Sequence, residues 1–311
     1  MGFSHVTVLL KETTEGLNLR PNSTVVDATV GGGGHAQEIL ERIPGGKLVC
    51  IDKDISAIEH SKTKLTNANR GQDTELIFMH SDFVKIADIL EENNIQKVDA
   101  IVADLGVSSH QIDTVERGFS YMNDAELDMR MDVSQTKTAH HVVNLYKPEE
   151  LFRITRDFGE ERYAKRITEA IVKNRPVKTT LQLSEIIKDA VPGNYYKTGG
   201  HPAKRTFQAI RIEVNGELEI IEKFIVDSVE KLEKGGRIAI ITFHSLEDRI
   251  VKQTFKHLER QCICPPRTPI CICQNKASLK IITKKPIEPS EEEIKNNSRS
   301  GSAKLRIAEK V

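Results

Sequence analysis

Short apolar runs alternate with helix-like stretches through the first third of the chain, and a run of four glycines ends the first apolar run. Thr24-Val-Val-Asp-Ala-Thr-Val30 reads as a strand, and Gly31-Gly-Gly-Gly34 follows it. His35–Arg42 reads as a helix stopped by Pro44-Gly45-Gly46, and Lys47–Asp52 as a second strand. A helix over Ile55–Thr66 and strands at Leu76–His80 and Val98–Asp104 continue the pattern. Strands separated by helical crossovers are expected to lie parallel in one doubly wound sheet.

The alternation stops near Asp113. From there to Arg211 the periodicity is mostly helical, clearest in Pro148–Phe158 and in Glu160–Lys173, where Tyr163, Ile167, Ala170 and Ile171 share a face. A helix over Gly216–Glu233, the turn Lys234-Gly235-Gly236 and a strand at Arg237–Phe243 restore the α/β pattern. Leu279–Thr283 and Ala303–Ala308 are late β segments. The chain has 311 residues, more than the ~250 at which one core stops growing. We therefore expect one α/β domain over residues 1–112 and 212–311, interrupted by a helical domain over 113–211. At 38% hydrophobic and 29% charged residues, collagen-like and disordered classes are excluded.

No apolar run reaches bilayer length and no basic-then-apolar leader opens the chain, so no membrane is expected. Five cysteines, four of them within Cys262–Cys273, do not resemble a disulfide framework, which places the expected setting in a reducing cytoplasm. Those four form two C-x-C pairs, a spacing that fits tetrahedral zinc less well than C-x-x-C. A structural metal site and unligated thiols both remain open, and the reaction itself is expected to need no metal.

The glycine run sits where a strand turns into a helix, so backbone can pass close to a ligand and helix N–H groups face it. Asp52 closes the second strand 18 residues after Gly34, placed to accept both hydroxyls of a ribose. This pair fits a nicotinamide dinucleotide or S-adenosylmethionine. Asp27 at the first strand suits a cation, although a turn residue at a helix start would look the same. Asp82-Phe83 after the third strand can take an adenine amino group and pack on its ring. Asp104-Leu-Gly-Val follows the fourth strand, where an acidic residue can hold an amine awaiting a methyl group. Four acidic strand ends converging on one crevice favour the methyl donor.

Longer stretches resemble one family. His5-Val-Thr-Val-Leu-Leu10, Gly33-Gly34-His35, Ile51-Asp-Lys-Asp54, Asp104-Leu-Gly-Val-Ser-Ser-His-Gln111, Glu116-Arg-Gly-Phe-Ser120 and Leu127-Asp-Met-Arg-Met-Asp132 are similar to the MraW (RsmH) family of bacterial ribosomal RNA cytidine-N4 methyltransferases. So are Tyr163-Ala-Lys-Arg-Ile167, the stretch His201–Asn215, and Phe243-His-Ser-Leu-Glu-Asp-Arg-Ile-Val-Lys252. The resemblance implies a class I S-adenosylmethionine-dependent methyltransferase with a Rossmann-like sheet and an inserted helical domain. The implied acceptor is a decoding-centre cytidine of small-subunit (16S) ribosomal RNA, free or in an assembled subunit, and the protein a monomer or homodimer. Carried over by position, cofactor contacts fall on Gly33, Gly34, His35, Asp52, Phe83, Asp104 and Gln111. The C-terminal word Asn297–Arg306 departs from the family pattern at Ser298 and Gly301.

The exocyclic amine of cytosine has a delocalised lone pair, and acceptors on its N–H groups make the nitrogen more nucleophilic. Asp104, with a backbone carbonyl in Leu105–Val107, is the expected acceptor; orienting the cofactor alone is the competing role. The formal charge is zero, 45 basic against 45 acidic residues, but residues 147–211 carry 14 Lys+Arg against 8 Asp+Glu. Arg162, Lys165, Arg166, Lys204, Arg205 and Arg211 are the expected phosphate contacts, a solvated helix face being the alternative, with Phe207 or Tyr195 as stacking partners, although core packing is the stronger reading of Phe207. No G-x-S-x-G surrounds Ser245, which reads instead as a helix N-cap. His244 ends the preceding strand, near the active site by the resemblance. The enzymatic rival is a dinucleotide-dependent dehydrogenase; the non-enzymatic rival is an RNA-binding or assembly protein with a vestigial pocket.

Overall fold

The computed structural model describes residues 7–193, 195, 200–262, 264 and 272–311. His5, Val6 and Cys271 lie outside them. Among the described residues no helix is long and apolar enough to cross a membrane. The chain divides into two compact units, Met1–Gly106 with Leu218–Val311, and Val107–Glu217.

The first unit is built on seven strands: β1 (Thr24–Asp27), β2 (Lys47–Asp52), β3 (Glu75–His80), β4 (Val98–Asp104), β5 (Leu232–Thr242), β6 (Leu279–Ile281) and β7 (Lys304–Lys310). Their order in the sheet is β3-β2-β1-β4-β5-β7-β6. The first five are parallel, as the crossovers require. The two late β segments, for which the sequence sets no direction, run the other way: β7 is antiparallel to β5 and to β6. Arg237 and Glu309 stand opposite each other in that pairing, with Nε 2.9 Å from Oε2, which helps fix the register.

Successive side chains leave a strand on opposite faces, and both faces are covered here. Val26, Val49, Ile101 and Ile238 share one apolar cluster with Phe224 and Phe255. Their neighbours Val25, Leu48, Val102 and Ala239 join Ile39 and Leu40 in the other. Each Ile or Leu so buried contributes about 1.5–3 kcal/mol, which is why the central strands read as continuous apolar runs. The turn expected at Lys234–Gly236 interrupts the β4–β5 pairing, whose partners pass from Val98–Leu232 directly to Ala100–Arg237.

The second unit is helical, with helices Ala139–Leu145, Pro148–Asp157, Ala164–Lys173, Thr180–Ala190 and Ala203–Asn215. Leu151, Ile154, Ile167, Ile171, Leu183, Ile187 and Ile210 form its core. The helix expected from Glu160 begins only at Ala164, because Glu160 has φ 47° and the Glu161 carboxylate accepts from Tyr163 N at 2.8 Å. The unit is also wider than residues 113–211. Val107 and Ile112 pack on its apolar core, and Asn215 binds the Met129 carbonyl and the Met131 N–H, both at 2.8 Å.

Candidate active site

The parallel register brings the carboxyl ends of β1, β2, β4 and β5 to one edge of the sheet. Just past β1, Ala28 N donates to Val102 O and Val30 N to Ile51 O, so the chain stays tied to both neighbouring strands before it turns. Gly33, with φ +69°, is the N-cap of the helix Gly34–Arg42 and supplies no capping side chain. Among the described residues a Cβ on Gly31 would meet only Thr29 O, at 3.8 Å, so none of them fills the space over the turn. Lys64 pins the turn from the far side, donating to Gly32 O at 3.0 Å and Gly33 O at 3.3 Å.

Three of the expected contacts, Gly34 and His35 in the first unit and Gln111 in the second, have local roles as well. A Cβ on Gly34 would overlap Thr7 Oγ1 and stand 2.9 Å from Thr7 Cβ, so its glycine is required by packing. His35 is buried, with Nε2 3.1 Å from Val8 O, which ties the N-terminal segment to the turn. Gln111 is buried and closes a capping box: its Oε1 accepts from Ser108 N at 3.1 Å, and Ser108 Oγ accepts from Gln111 N at 3.2 Å.

Asp52 binds the glycine turn to the end of β2. Its Oδ2 accepts from Gly31 N and its Oδ1 from Asp54 N, both at 2.9 Å, and each oxygen keeps a further lone pair for a ribose hydroxyl. Burial pushes it up to about 6, against these hydrogen bonds. Asp27 is 2% exposed, and burial pushes it up to about 7, although the N–H groups of Thr29 and Ala36 oppose the rise. Asp82 caps the turn Phe83–Lys85 by accepting from Val84 N at 3.0 Å. Phe83 packs edge-on to Phe224, centroids 4.8 Å apart.

Asp104 completes the group. Its N–H donates to Thr29 Oγ1 at 2.6 Å, and Leu105 N donates to Ile241 O at 2.9 Å, which fixes the end of β4. Burial, with the charges of Asp27 and Glu247 nearby, pushes its carboxyl well above the ordinary range. Glu247 is 1% exposed and accepts from Phe243 N at 2.8 Å and His244 N at 3.2 Å. The N-cap of the helix Ser245–Leu258 is therefore His244, whose Nδ1 accepts from Glu247 N at 3.4 Å, and not Ser245 as expected. A capping box needs its partner three residues on, and only position 244 has that spacing to Glu247.

Asp27 Oδ2 and Asp104 Oδ1 are buried without a hydrogen-bond partner among the described residues. Unpaired buried carboxylates are costly, so this edge of the sheet is complementary to a ligand carrying positive charge or N–H donors.

A family model described as the MraW methylase family matches residues 2–311. The chain belongs to that family. Proteins named ribosomal RNA small subunit methyltransferase H agree in length and sequence. Those of Clostridium botulinum (strain Loch Maree / Type A3) and Clostridioides difficile (strain 630) are 54% and 52% identical over 315 residues, covering 100% of both chains. That of Halothermothrix orenii is 51% identical over 311 residues, covering 99% of this chain and 98% of its own. The sheet is that of a class I methyltransferase, and S-adenosylmethionine is the cofactor. The residues present fit it: the Asp27 oxygen left unpaired among the described residues suits its positive end, and Asp52 suits its ribose. The dinucleotide rival falls away.

In the helical unit, Arg205 Nη1 donates to Glu160 O at 2.8 Å, joining two stretches far apart in sequence. The guanidinium of Arg162 lies 4.7 Å from the Tyr163 ring centroid and 5.6 Å from that of Tyr195. Lys165, Arg166 and Lys204 are exposed. Arg211 already has a carboxylate partner, its Nε and Nη2 donating to Glu217 at 2.9 and 2.8 Å. Phe207 and Tyr195 are 3% and 2% exposed, and Tyr195 donates to Glu161 Oε2, so both are core residues and not stacking platforms. Sequence reasoning missed Thr29, Lys64 and the buried role of Glu247. Only Glu247 had a readable signal, its capping-box spacing from the end of a strand.

Proposed function

We propose that this small-subunit ribosomal RNA methyltransferase acts on the exocyclic N4 amine of a cytidine at the decoding centre, with Asp104 contacting that amine. The observation that carries this reading is the buried Asp104 Oδ1 at the end of β4, which has no hydrogen-bond partner among the described residues.

S-adenosylmethionine supplies an electrophilic methyl group on a sulfonium. The chain's part is to bind, orient and accept. Asp52 holds the ribose hydroxyls while the glycine turn leaves room beside them. Asp27 faces the positive end of the cofactor, and a cation there favours ionised Asp27 and Asp104. Ionised Asp104 accepts an N–H of the cytosine amine, which draws the nitrogen lone pair out of conjugation for in-line attack. Its own position is fixed by the bond to Thr29. The extra amine proton leaves after transfer and needs no strong base. The cytidine must be unstacked to reach this edge of the sheet, and the basic turn around Glu160 and Arg205 is the surface we assign to hold the strand. Gly33, Gly34, His35, Phe83 and Gln111 complete the proposed cofactor contacts, the second, third and last chiefly by shaping the backbone around it.

Labelled cofactor incubated with naked small-subunit RNA, assembled small subunits and DNA tests the reading. N4-methylcytidine is expected in nucleosides from one of the RNA samples and not from DNA. Its absence from both RNA samples, or label on another atom, overturns it.

A further inference from the structure

The connection from residue 259 to residue 278 joins the helix Ser245–Leu258 to β6 and has no helix or strand among its described residues. Loops beyond about 12–15 residues without secondary structure usually need something other than a core to order them. Among the described residues of the loop, apolar burial does not supply it: Ile272 is 79% exposed. The base of the loop is nevertheless closed. Ser278 N donates to Leu258 O at 2.9 Å, and Asn275 Nδ2 to Arg260 O at 2.6 Å, so the outgoing and returning segments run side by side.

Just beyond this stem three thiols converge. The Sγ atoms of Cys262, Cys264 and Cys273 all lie within 4.8 Å of one another. Those of Cys262 and Cys273 are 3.8 Å apart, far longer than an S–S bond of about 2.05 Å. In a tetrahedral site with metal–sulfur bonds of about 2.3 Å, neighbouring sulfurs are about 3.8 Å apart. Cys262 and Cys264 flank one residue, and Cys273 arrives from the opposite side of the stem. A fourth thiol, Cys271, stands two residues before it in the sequence.

We propose that Cys262, Cys264 and Cys273 bind a structural Zn2+ ion that closes this loop. Sulfur donors exclude Mg2+ and Ca2+, which take oxygen, and favour a soft, tetrahedral, redox-inert cation. Each S–H bond is replaced by a metal–thiolate bond with its proton released to solvent, so binding weakens as pH falls. Cys50, buried in β2, is no part of the site.

The test uses the full chain, purified under reducing conditions and analysed by elemental mass spectrometry. About one zinc per chain is expected, falling at least tenfold in Cys262→Ser, Cys264→Ser and Cys273→Ser and retained in Cys50→Ala. Replacement by Co2+ is expected to give a thiolate-to-cobalt charge-transfer band and tetrahedral d–d bands, both lost in the three variants. A chelator is expected to speed tryptic cleavage after Arg260 and Lys276 severalfold in the parent protein. The proposal is overturned by a parent protein that takes up neither zinc nor cobalt, by metal retained in all three variants, or by a Cys262–Cys273 disulfide in a protein that refuses metal after reduction.

Discussion

Asp27 sits at the end of a buried strand because the parallel register ends there, and the same placement strips it of water. Folded Asp27 holds its proton to about pH 7, whereas an aspartate in the unfolded chain releases it near pH 4. Between those values the folded state binds more protons, so stability without cofactor falls as pH rises from about 4 to about 7 and then levels. Asp52, raised to about 6, adds to the lower part of that window. Asp27→Asn is expected to flatten the decline and to be more stable than the parent at pH 8, while binding S-adenosylmethionine at least tenfold more weakly. Denaturant unfolding at pH 5, 6, 7 and 8 checks it, and parallel curves for the two proteins would refute it. For Asp104 the separation is between chemistry and binding. Asp104→Asn is expected to keep cofactor affinity within a few-fold and to lose at least a hundredfold in single-turnover methylation; unchanged turnover with intact binding would remove Asp104 from the reaction. These aspartates were legible in the sequence because each ends an apolar run. Glu247 carried only its three-residue spacing from the end of a strand; its burial follows from the His244 cap, which the folded backbone reveals.

At the scale of elements, the glycine turn combines ligand space with close packing, and the two requirements fall on different glycines. Gly31 has space over it that none of the described residues fills, whereas Gly34 has Thr7 against it. Gly34→Ala is therefore expected to cost about 1–3 kcal/mol, as other overpacking changes do, and Thr7→Gly is expected to restore most of it. A thermal-unfolding double-mutant cycle measures the coupling, and additive effects would show that the two positions do not share that space. The sequence marks the whole run as one cofactor motif, because a glycine carries no sign of whether a ligand or another side chain needs its missing Cβ. The capped helices behave similarly. Asp54 caps the helix Ile55–Ala68, accepting from Ser56 N at 3.1 Å. The cap at His244 was displaced by one residue in the sequence reading, since histidine is not among the usual capping residues.

Across the whole molecule, equal numbers of acidic and basic residues conceal an uneven distribution along the chain. Asp27 and the Oδ1 atom of Asp104 are buried at the sheet edge of the first unit, and the basic excess belongs to residues 147–211. The insertion was legible from the change of periodicity, but its limits were not: Val107 and Ile112 look like loop residues until a helical core exists for them to join. Charge alone also could not separate Arg211 from its neighbours, because its partner Glu217 lies two residues beyond the end of the same helix. Structure and charge together divide the six basic candidates. If Arg162, Lys165, Arg166, Lys204 and Arg205 each meet a phosphate, log affinity for single-stranded RNA is expected to fall with log salt at a slope of about −3.5. Lys204→Ala is expected to reduce that slope by about 0.7 with no change in unfolding, since its side chain is exposed. Arg211→Ala is expected to do the opposite. It leaves Glu217, 7% exposed, without its bidentate partner, a loss of about 3 kcal/mol in stability, while the salt slope stays unchanged. Filter-binding titrations from low to moderate salt, with denaturant unfolding on the same preparations, separate the two effects. A flat salt dependence in the parent, or a slope changed by Arg211→Ala but not by Lys204→Ala, would place the RNA on some other surface.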